Sequence, residues 1–217
     1  MKRHILLAII AFFAFAQTVC AQICKGNYND SIIWTLDTVS GLLTIEGKGE
    51  LNPWRKVTDA TVVTHYNAYK KYITDIKVSE GITGIVTREF ADYKQLKTVS
   101  LPQSLRWLGN GVFQGCTNLK TVNIPENIDS LGNNLFSWCP NIEYEIVNGI
   151  KYISNWAIDY DFYHFHYLNE TVVTLREGTV GLTLPGLRNI TEINLPQGLR
   201  YIGGNMFFGS KIKSILQ

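Results

Sequence analysis

The chain has 217 residues, of which 46% are hydrophobic and 18% charged, a composition typical of a folded globular protein rather than a disordered or fibrous one. Lys and Arg number 20 against 18 Asp and Glu, so the formal net charge at pH 7 is only +2. Because this excess is small and forms no basic stripe, the sequence predicts no nucleic-acid partner.

The N-terminus has the pattern of a secretory signal peptide. Residues 2–4 are basic, Ile5 to Ala16 is an apolar run, and the small-residue pattern Val19-Cys20-Ala21 follows. We therefore predict that residues 1–21 are cleaved before Gln22 and that the protein is secreted or held at the cell surface. Removing the signal also removes Lys2 and Arg3, which leaves 18 basic and 18 acidic residues.

Two rival interpretations of this segment are a membrane anchor and a lipoprotein. A membrane anchor is disfavoured because the apolar run has 12 residues, fewer than the roughly 20 needed to span a bilayer. No transmembrane segment is therefore expected after signal cleavage. A lipoprotein would begin at Cys20, but residues 17–19 lack the Leu and the small residue that such a site prefers.

Residues 22–72 are predicted to form an N-terminal cap and a lead-in. Residues 31–36 and 42–47 are β-like runs joined by a turn through Asp37 to Gly41, which predicts a β-hairpin. Residues 55–72 are more polar, and we expect them to be partly helical.

Residues 73–141 contain three consecutive 23-residue copies of one unit, at 73–95, 96–118 and 119–141. A further copy, one residue shorter, occupies 190–211. Self-similarity at such a period marks a solenoid, in which each unit buries its apolar face against its neighbours. The sequence thus predicts a β-rich solenoid with a parallel sheet, whose open end is capped by the N-terminal hairpin.

Each copy has the strand pattern L-x-x-L-x-L, a proline that ends the strand, a second apolar alternation, a glycine and a phenylalanine. In the second copy these residues are Leu96, Val99, Leu101, Pro102, Leu105, Leu108, Gly109 and Phe113. We expect the glycine to permit a sharp turn or a positive φ angle. We expect the phenylalanines to stack as a spine, formed by Phe90, Phe113, Phe136 and Phe207.

Three cysteines remain after signal cleavage, and Cys116 and Cys139 occupy the same slot in adjacent repeats. Stacked strands lie about 4.8 Å apart, which a disulfide can bridge, and export would permit oxidation. The slot holds Tyr93 and Ser210 in other copies, so the repeat does not require a bridge. We favour buried free thiols and keep the disulfide as the alternative.

Residues 142–170 form an atypical insertion that is rich in aromatic residues, and residues 171–217 contain a shortened repeat, one full repeat and a partial terminal strand. His164 and His166 would share one face of a strand, a spacing that metals can use, but no further ligand pattern accompanies them. No catalytic motif, metal site or cofactor is predicted.

Candidate binding residues follow from what varies between copies. Trp107 and Tyr201 align with Ser130 in a slot outside the apolar set, so we expect them to be exposed. A second candidate surface is formed by the outward strand positions Thr98, Ser100, Thr121 and Asn123. A third is the aromatic run of the insertion, with Tyr163, Phe165 and Tyr167 as candidates. The alternative for this run is a buried strand.

The repeat form L-x-x-V-x-I-P-x-x-[IL]-x-x-[IL]-G-x-x-x-F-x-x-C resembles the BspA-like class of leucine-rich repeats in bacterial surface proteins. Residues 24–26, 34–36 and 43–49 are similar to a segment that often precedes such repeats, and residues 148–158 to an interruption within them. The resemblance implies a right-handed solenoid, export, adhesion to host matrix, host cells or other bacteria, and no catalytic residues.

The predicted function is therefore an exported, non-enzymatic recognition or adhesion module that binds a protein or glycan partner through its solenoid surface. One alternative is an exported enzyme with a site in residues 142–189. The other is a scaffold or truncated repeat protein without its own ligand.

Overall fold

A computed structural model describes residues 23–52, 66–161, 165–166, 170–184, 186–204, 206–207 and 209–217. The predicted signal peptide lies outside these residues. The described chain is a β-solenoid of short, mostly parallel strands that recur at the 23-residue spacing of the repeats. The predicted fold class is thus confirmed.

The sheet on one face of the solenoid begins with antiparallel strands and continues with parallel strands. β1 (Ile23–Asn29) pairs with β2 (Ile32–Asp37), which pairs with β3 (Leu42–Gly47). β3 then pairs in parallel with β5 (Asp75–Val78), followed by β7 (Thr98–Ser100) and β9 (Thr121–Asn123). The predicted hairpin is β2–β3, whereas β1 is a strand that the sequence analysis did not predict.

A second parallel sheet lies on the other side of the same coils. Its strands are β4 (Gly49–Leu51), β6 (Ile82–Ile85), β8 (Trp107–Leu108) and β10 (Ser130–Leu131), paired in that order. A 3₁₀ helix, Tyr66–Tyr72, precedes the first repeat, as expected for the partly helical lead-in.

The insertion forms an antiparallel meander of β11 (Glu145–Val147), β12 (Ile150–Ile153) and β13 (Trp156–Tyr160). β13 then pairs in parallel with β15 (Gly181–Leu182), which pairs with β17 (Tyr201–Ile202). β14 (Val172–Thr174), β16 (Glu192–Asn194) and β18 (Ser214–Leu216) form a further parallel sheet. The meander therefore continues through β13 into the parallel strands of the later repeats.

The core is built from the apolar repeat positions, and a stack of aromatic rings runs through it. Phe90 lies 5.9 Å from Phe113, and Phe113 lies 5.7 Å from Phe136, between ring centroids. Tyr66 extends the stack at 6.1 Å from Phe90. Phe207 is half-buried against a separate cluster of buried residues. The spine is thus confirmed for three adjacent repeats.

The sequence predicted either a sharp turn or a positive φ angle at the repeat glycines, and only the positive φ angle is contradicted. Gly109 and Gly132 do not adopt positive φ angles. A Cβ atom on Gly132 would instead lie 2.3 Å from the carbonyl carbon of Gly109, and one on Gly109 would lie 2.4 Å from the amide nitrogen of Thr87. These glycines are needed because the backbones of successive coils approach closely, so the expectation of a special φ angle was wrong.

The thiols of Cys116 and Cys139 are free and buried, and that of Cys24 is free and half-buried. Cys116 Sγ donates to the Phe90 carbonyl oxygen at 3.1 Å, and Cys139 Sγ donates to the Phe113 carbonyl oxygen at 3.0 Å. Burial raises the pKa of Cys116 to about 12, which keeps it protonated at neutral pH. Each thiol therefore acts as a weak donor that links its own coil to the preceding one.

Candidate functional site

The outward strand positions form a row of small polar side chains, which we call the polar ladder. Thr98 pairs with Thr121 across β7 and β9, and Ser100 pairs with Asn123, with all four side chains exposed. The Thr98 hydroxyl also donates to the Asp75 carboxylate on β5. The predicted residues of this face therefore do come together on one open surface.

Trp107 and Tyr201 are half-buried rather than exposed. The indole of Trp107 covers Gly84, where a Cβ atom would lie 2.2 Å from the ring. Tyr201 packs against Trp156 with 5.6 Å between ring centroids. Each side chain is held by a neighbouring coil, so the expectation of free surface aromatics in this slot was wrong.

The aromatic run of the insertion is not a continuous strand. β13 ends at Tyr160, and Phe165 lies in a helical turn, buried in an edge-to-face contact with Tyr160 at 5.6 Å. Phe165 is therefore buried rather than exposed, and its binding role stays a prediction. Tyr163 and Tyr167 lie outside the described residues.

His166 of the insertion does not lie on a strand face as predicted. His166 is exposed in the same helical turn as Phe165, and His164 lies outside the described residues. Within the described parts of the chain, no three His, Cys, Asp or Glu side chains are grouped closely enough to hold a metal ion. Nor does any helix there have the length and apolar character needed to cross a membrane.

A large cleft of about 1040 Å³ lies where the turns of the repeat coils meet the insertion meander, and we call it the turn cleft. The coil turns contribute Asp92, Gln114 and Trp138 to its lining, and the meander contributes Lys151 and Asp159. The cleft therefore lies between side chains of the coil turns and side chains of β12 and β13.

Trp138 is the most exposed large hydrophobic side chain of the described residues, with 79% of its surface accessible. Its φ angle is 63°, in the left-handed region. The same slot holds Asp92, Gly115 and Gly209 in other copies, all with positive φ. An L-residue other than glycine costs about 1–2 kcal/mol in this conformation. A tryptophan here thus lowers the stability of the fold, and burial of its side chain does not offset this loss because the side chain is exposed.

Charged side chains in the turn cleft are paired. Asp92 lies 3.1 Å from Lys94 Nζ and 3.8 Å from Arg88, and Lys151 lies 3.7 Å from Asp159 across β12 and β13. The two pairs of Asp92 are about half exposed and the Lys151–Asp159 pair is less so; exposed pairs contribute little to stability. They place donors and acceptors side by side along both walls of the cleft.

Tyr144 forms part of the wall nearest the meander. Its ring is half-buried, and Lys151 Nζ lies over it at 5.5 Å from the centroid. Burial, reinforced by the nearby Asp159 charge, raises the pKa of Tyr144 above its ordinary value. Its hydroxyl is therefore protonated throughout the physiological range and can act as a hydrogen-bond donor.

Glu89 belongs to a separate, buried cluster. It is 8% exposed and occupies a slot that holds Val112, Leu135 and Met206 in other copies. The hydroxyls of Tyr66 and Tyr28 donate to its two carboxylate oxygens, the latter at 3.1 Å. Burial raises the pKa of the Glu89 carboxyl, and the two donors only partly oppose this rise. The cluster fastens the cap to the first repeat.

Trp138 and Glu89 are unusual residues that were not predicted from the sequence. The aligned repeats contain a signal for both, since the position of Trp138 holds glycine in two other copies and the position of Glu89 is otherwise apolar. The aligned repeats do not show the left-handed backbone at Trp138 or the tyrosine hydroxyls that donate to Glu89.

These features define the molecule as a leucine-rich repeat solenoid. The BspA type leucine rich repeat region matches residues 61–178 and 184–216, in six copies. The chain therefore belongs to the BspA-type leucine-rich repeat family, whose members are generally interaction or surface modules. The match extends over the whole of the insertion at 142–170, which was predicted to break the repeat pattern. No curated protein matches the chain significantly.

Solved structures of leucine-rich repeat proteins from several bacteria match the chain at low identity. A leucine-rich repeat protein from Eubacterium ventriosum shares 17% identity at a TM-score of 0.45, with 89% of this chain and 68% of that chain covered. A leucine rich cell surface protein from Faecalibacterium prausnitzii shares 20% identity at a TM-score of 0.33, with coverage of 86% and 53%. A leucine-rich repeat protein from Bacteroides ovatus shares 24% identity at a TM-score of 0.37, with coverage of 66% and 37%. The chain thus spans only part of each protein.

Proposed function

We propose that this protein is an exported, non-enzymatic recognition or adhesion module that binds a protein or glycan partner through its solenoid surface. The observation that carries the proposal is the exposed Trp138 in the turn cleft, held on a backbone conformation that favours glycine. Such a residue contributes nothing to folding that would offset its cost, so its role concerns something outside the fold.

Family membership supports this proposal, because repeat solenoids of this type generally act as interaction surfaces. Export is supported by the signal-peptide pattern of residues 1–21. The partner would then be a component of host matrix, host cells or other bacterial surfaces.

The polar ladder is a second candidate binding surface. Its exposed hydroxyl and amide groups, at Thr98, Ser100, Thr121 and Asn123, suit a wet contact of modest affinity. It differs from the turn cleft in lacking an exposed aromatic anchor of the kind that usually dominates binding energy.

The experiment uses the chain from Gln22 to Gln217, applied to arrays of matrix proteins and glycans. We expect selective binding that is lost in Trp138→Gly and kept in the double variant Thr121→Lys, Asn123→Lys. Binding that is kept in Trp138→Gly and lost in the double variant would show that the site is the polar ladder. Absence of selective binding, together with hydrolase activity that is lost in His164→Ala, would replace recognition by the enzyme alternative.

A further inference from the structure

We infer that the turn cleft is a carbohydrate site whose occupant is a neutral oligosaccharide stacked on Trp138. This inference rests on the proposed recognition function and names the class of its ligand. Its starting point is the slot of Trp138, where glycine serves in two other copies, at Gly115 and Gly209, at similar positive φ angles.

The exposed indole matches one face of a sugar ring. The face of an aromatic ring carries negative charge density, while polarised C–H groups project from the flat faces of a pyranose ring. Because Trp138 is 79% exposed and lines the cleft, its ring is available to such a ligand without rearrangement of the core. A stacked sugar would also remove apolar indole surface from water.

The polar groups of the turn cleft match sugar hydroxyls, which both donate and accept hydrogen bonds. Asp92 and Asp159 accept, Lys94 and Lys151 donate, and the side-chain amide of Gln114 can do both. Arg88 donates to Oε1 of the Gln114 side chain, which leaves the side-chain NH₂ group of Gln114 for another partner.

The charge balance of the cleft favours a neutral ligand. Its lining has three cations, Arg88, Lys94 and Lys151, and two carboxylates, Asp92 and Asp159. Each carboxylate already lies within 4 Å of a cation, and three cations less two carboxylates leave a net charge of only +1. An acidic polymer would need an excess of unpaired cations, which this lining does not offer.

The shape and composition of the cleft favour a sugar chain over a protein. Its volume of about 1040 Å³ lies at the upper end of the roughly 300–1,000 Å³ typical of ligand clefts, which suits several linked rings. The cores of protein–protein interfaces are depleted of charged residues, whereas paired charges line both walls here. The groove thus resembles a ligand cleft more than an interface core.

The test measures binding of immobilised gluco-, manno- and xylo-oligosaccharides, with heparin fragments as the acidic arm and matrix proteins as the protein arm. We expect a neutral oligosaccharide to bind and its affinity to fall about tenfold or more in Trp138→Gly. Trp138→Tyr should keep part of the affinity. Tyr72→Ala, which removes an exposed aromatic side chain on the 3₁₀ helix, should leave it unchanged. Binding should change little between about 0.05 and 0.5 M NaCl.

Two further measurements separate a lost contact from a lost fold. Trp138→Gly should unfold at the same or a higher temperature than the native chain, because glycine suits a positive φ angle. The tryptophan fluorescence of the native protein should shift to shorter wavelength when the oligosaccharide binds, and that shift should be absent in Trp138→Gly.

The outcomes distinguish the two proposals. Binding of heparin or a matrix protein alone, with sensitivity to Trp138→Gly, overturns the carbohydrate assignment and leaves the recognition function intact. Neutral-sugar binding that is unchanged in Trp138→Gly also overturns this site. Absence of binding in all arms contradicts both the carbohydrate site and the recognition function.

Discussion

At the scale of single residues, the informative positions are those where one copy departs from what its slot requires. Glu89 places a carboxyl group in a slot that is otherwise apolar, and Trp138 places an indole where glycine fits best. The two departures differ in outcome. The Glu89 carboxyl is buried and satisfied by tyrosine hydroxyls, so its role is internal, whereas the Trp138 side chain faces solvent.

The Glu89 carboxyl should make stability depend on pH. Its folded-state pKa is raised by burial, so its contribution is fully present below the unfolded-state pKa of about 4.3 and is lost as pH rises through the folded-state value. Glu89→Gln should remove this dependence, and the variant should gain stability relative to the native chain between about pH 4.3 and 7. Urea unfolding at several pH values measures the difference.

The matched control for this prediction is Glu177→Gln, because Glu177 is exposed. The free energy of unfolding of this variant should depend on pH in the same way as that of the native chain. The same pH dependence for Glu89→Gln and the native chain would show that the Glu89 carboxyl does not titrate between these pH values in the folded state.

At the scale of elements, close backbone contact between coils controls the packing of the second parallel sheet. Gly109 and Gly132 sit directly after β8 and β10, at the point where each coil turns away from that sheet. The spacing of coils is therefore set by backbone atoms there and by stacked rings at Phe113 and Phe136.

Gly132→Ala should destabilise the protein. The added Cβ atom would lie 2.3 Å from the backbone of Gly109, and overpacking of this kind typically costs about 1–3 kcal/mol. Gly204→Ala is the control, since its Cβ atom would have no heavy atom within 4 Å and its φ angle is not positive; it should change stability by less than about 0.5 kcal/mol. Equal effects in urea unfolding would contradict the contact argument.

Much of this element-level structure could be predicted because the 2-residue alternation of Val99 and Leu101 repeats at a fixed period. Such patterns predicted the strands of the repeats, the spine of three adjacent repeats and the cap hairpin, but neither β1 nor the strands of the meander. They could not predict the close approach at Gly132 or the contact of Trp107 with Gly84, because both depend on how one coil lies against the next. The turn cleft needs two distant segments in space, so no local pattern could reveal it.

At the scale of the whole molecule, stability is divided between two clusters of buried residues. One extends from Tyr28 to Ile158, and the other from Ile150 to Met206, so they overlap in sequence only within the meander. In solenoids each coil is stabilised mainly by its neighbours. Local destabilisation should therefore remain confined to one end of the array.

Ile193→Ala should test this division. Ile193 is 0% exposed and pairs with Val173 and Ile215 on the flanking strands, so the truncation should cost about 2–5 kcal/mol. We expect faster amide hydrogen exchange in β14, β16 and β18, with protection retained in β5, β7 and β9. Val99→Ala, in β7, should give the opposite pattern. Uniform acceleration in both variants would show that the array unfolds as one unit.

The recurring separation of 23 residues also affects how the chain folds. Side-chain hydrogen bonds from Thr98 to Asp75 and from Arg106 to Asp129 both span this interval. Each contact closes a loop of the same modest length, and loop-closure entropy depends on that length rather than on the size of the array. Adding a coil to an existing one therefore has the same entropic cost at each step. Folding can therefore propagate along the array one coil at a time, with each new coil packing against one that has already folded.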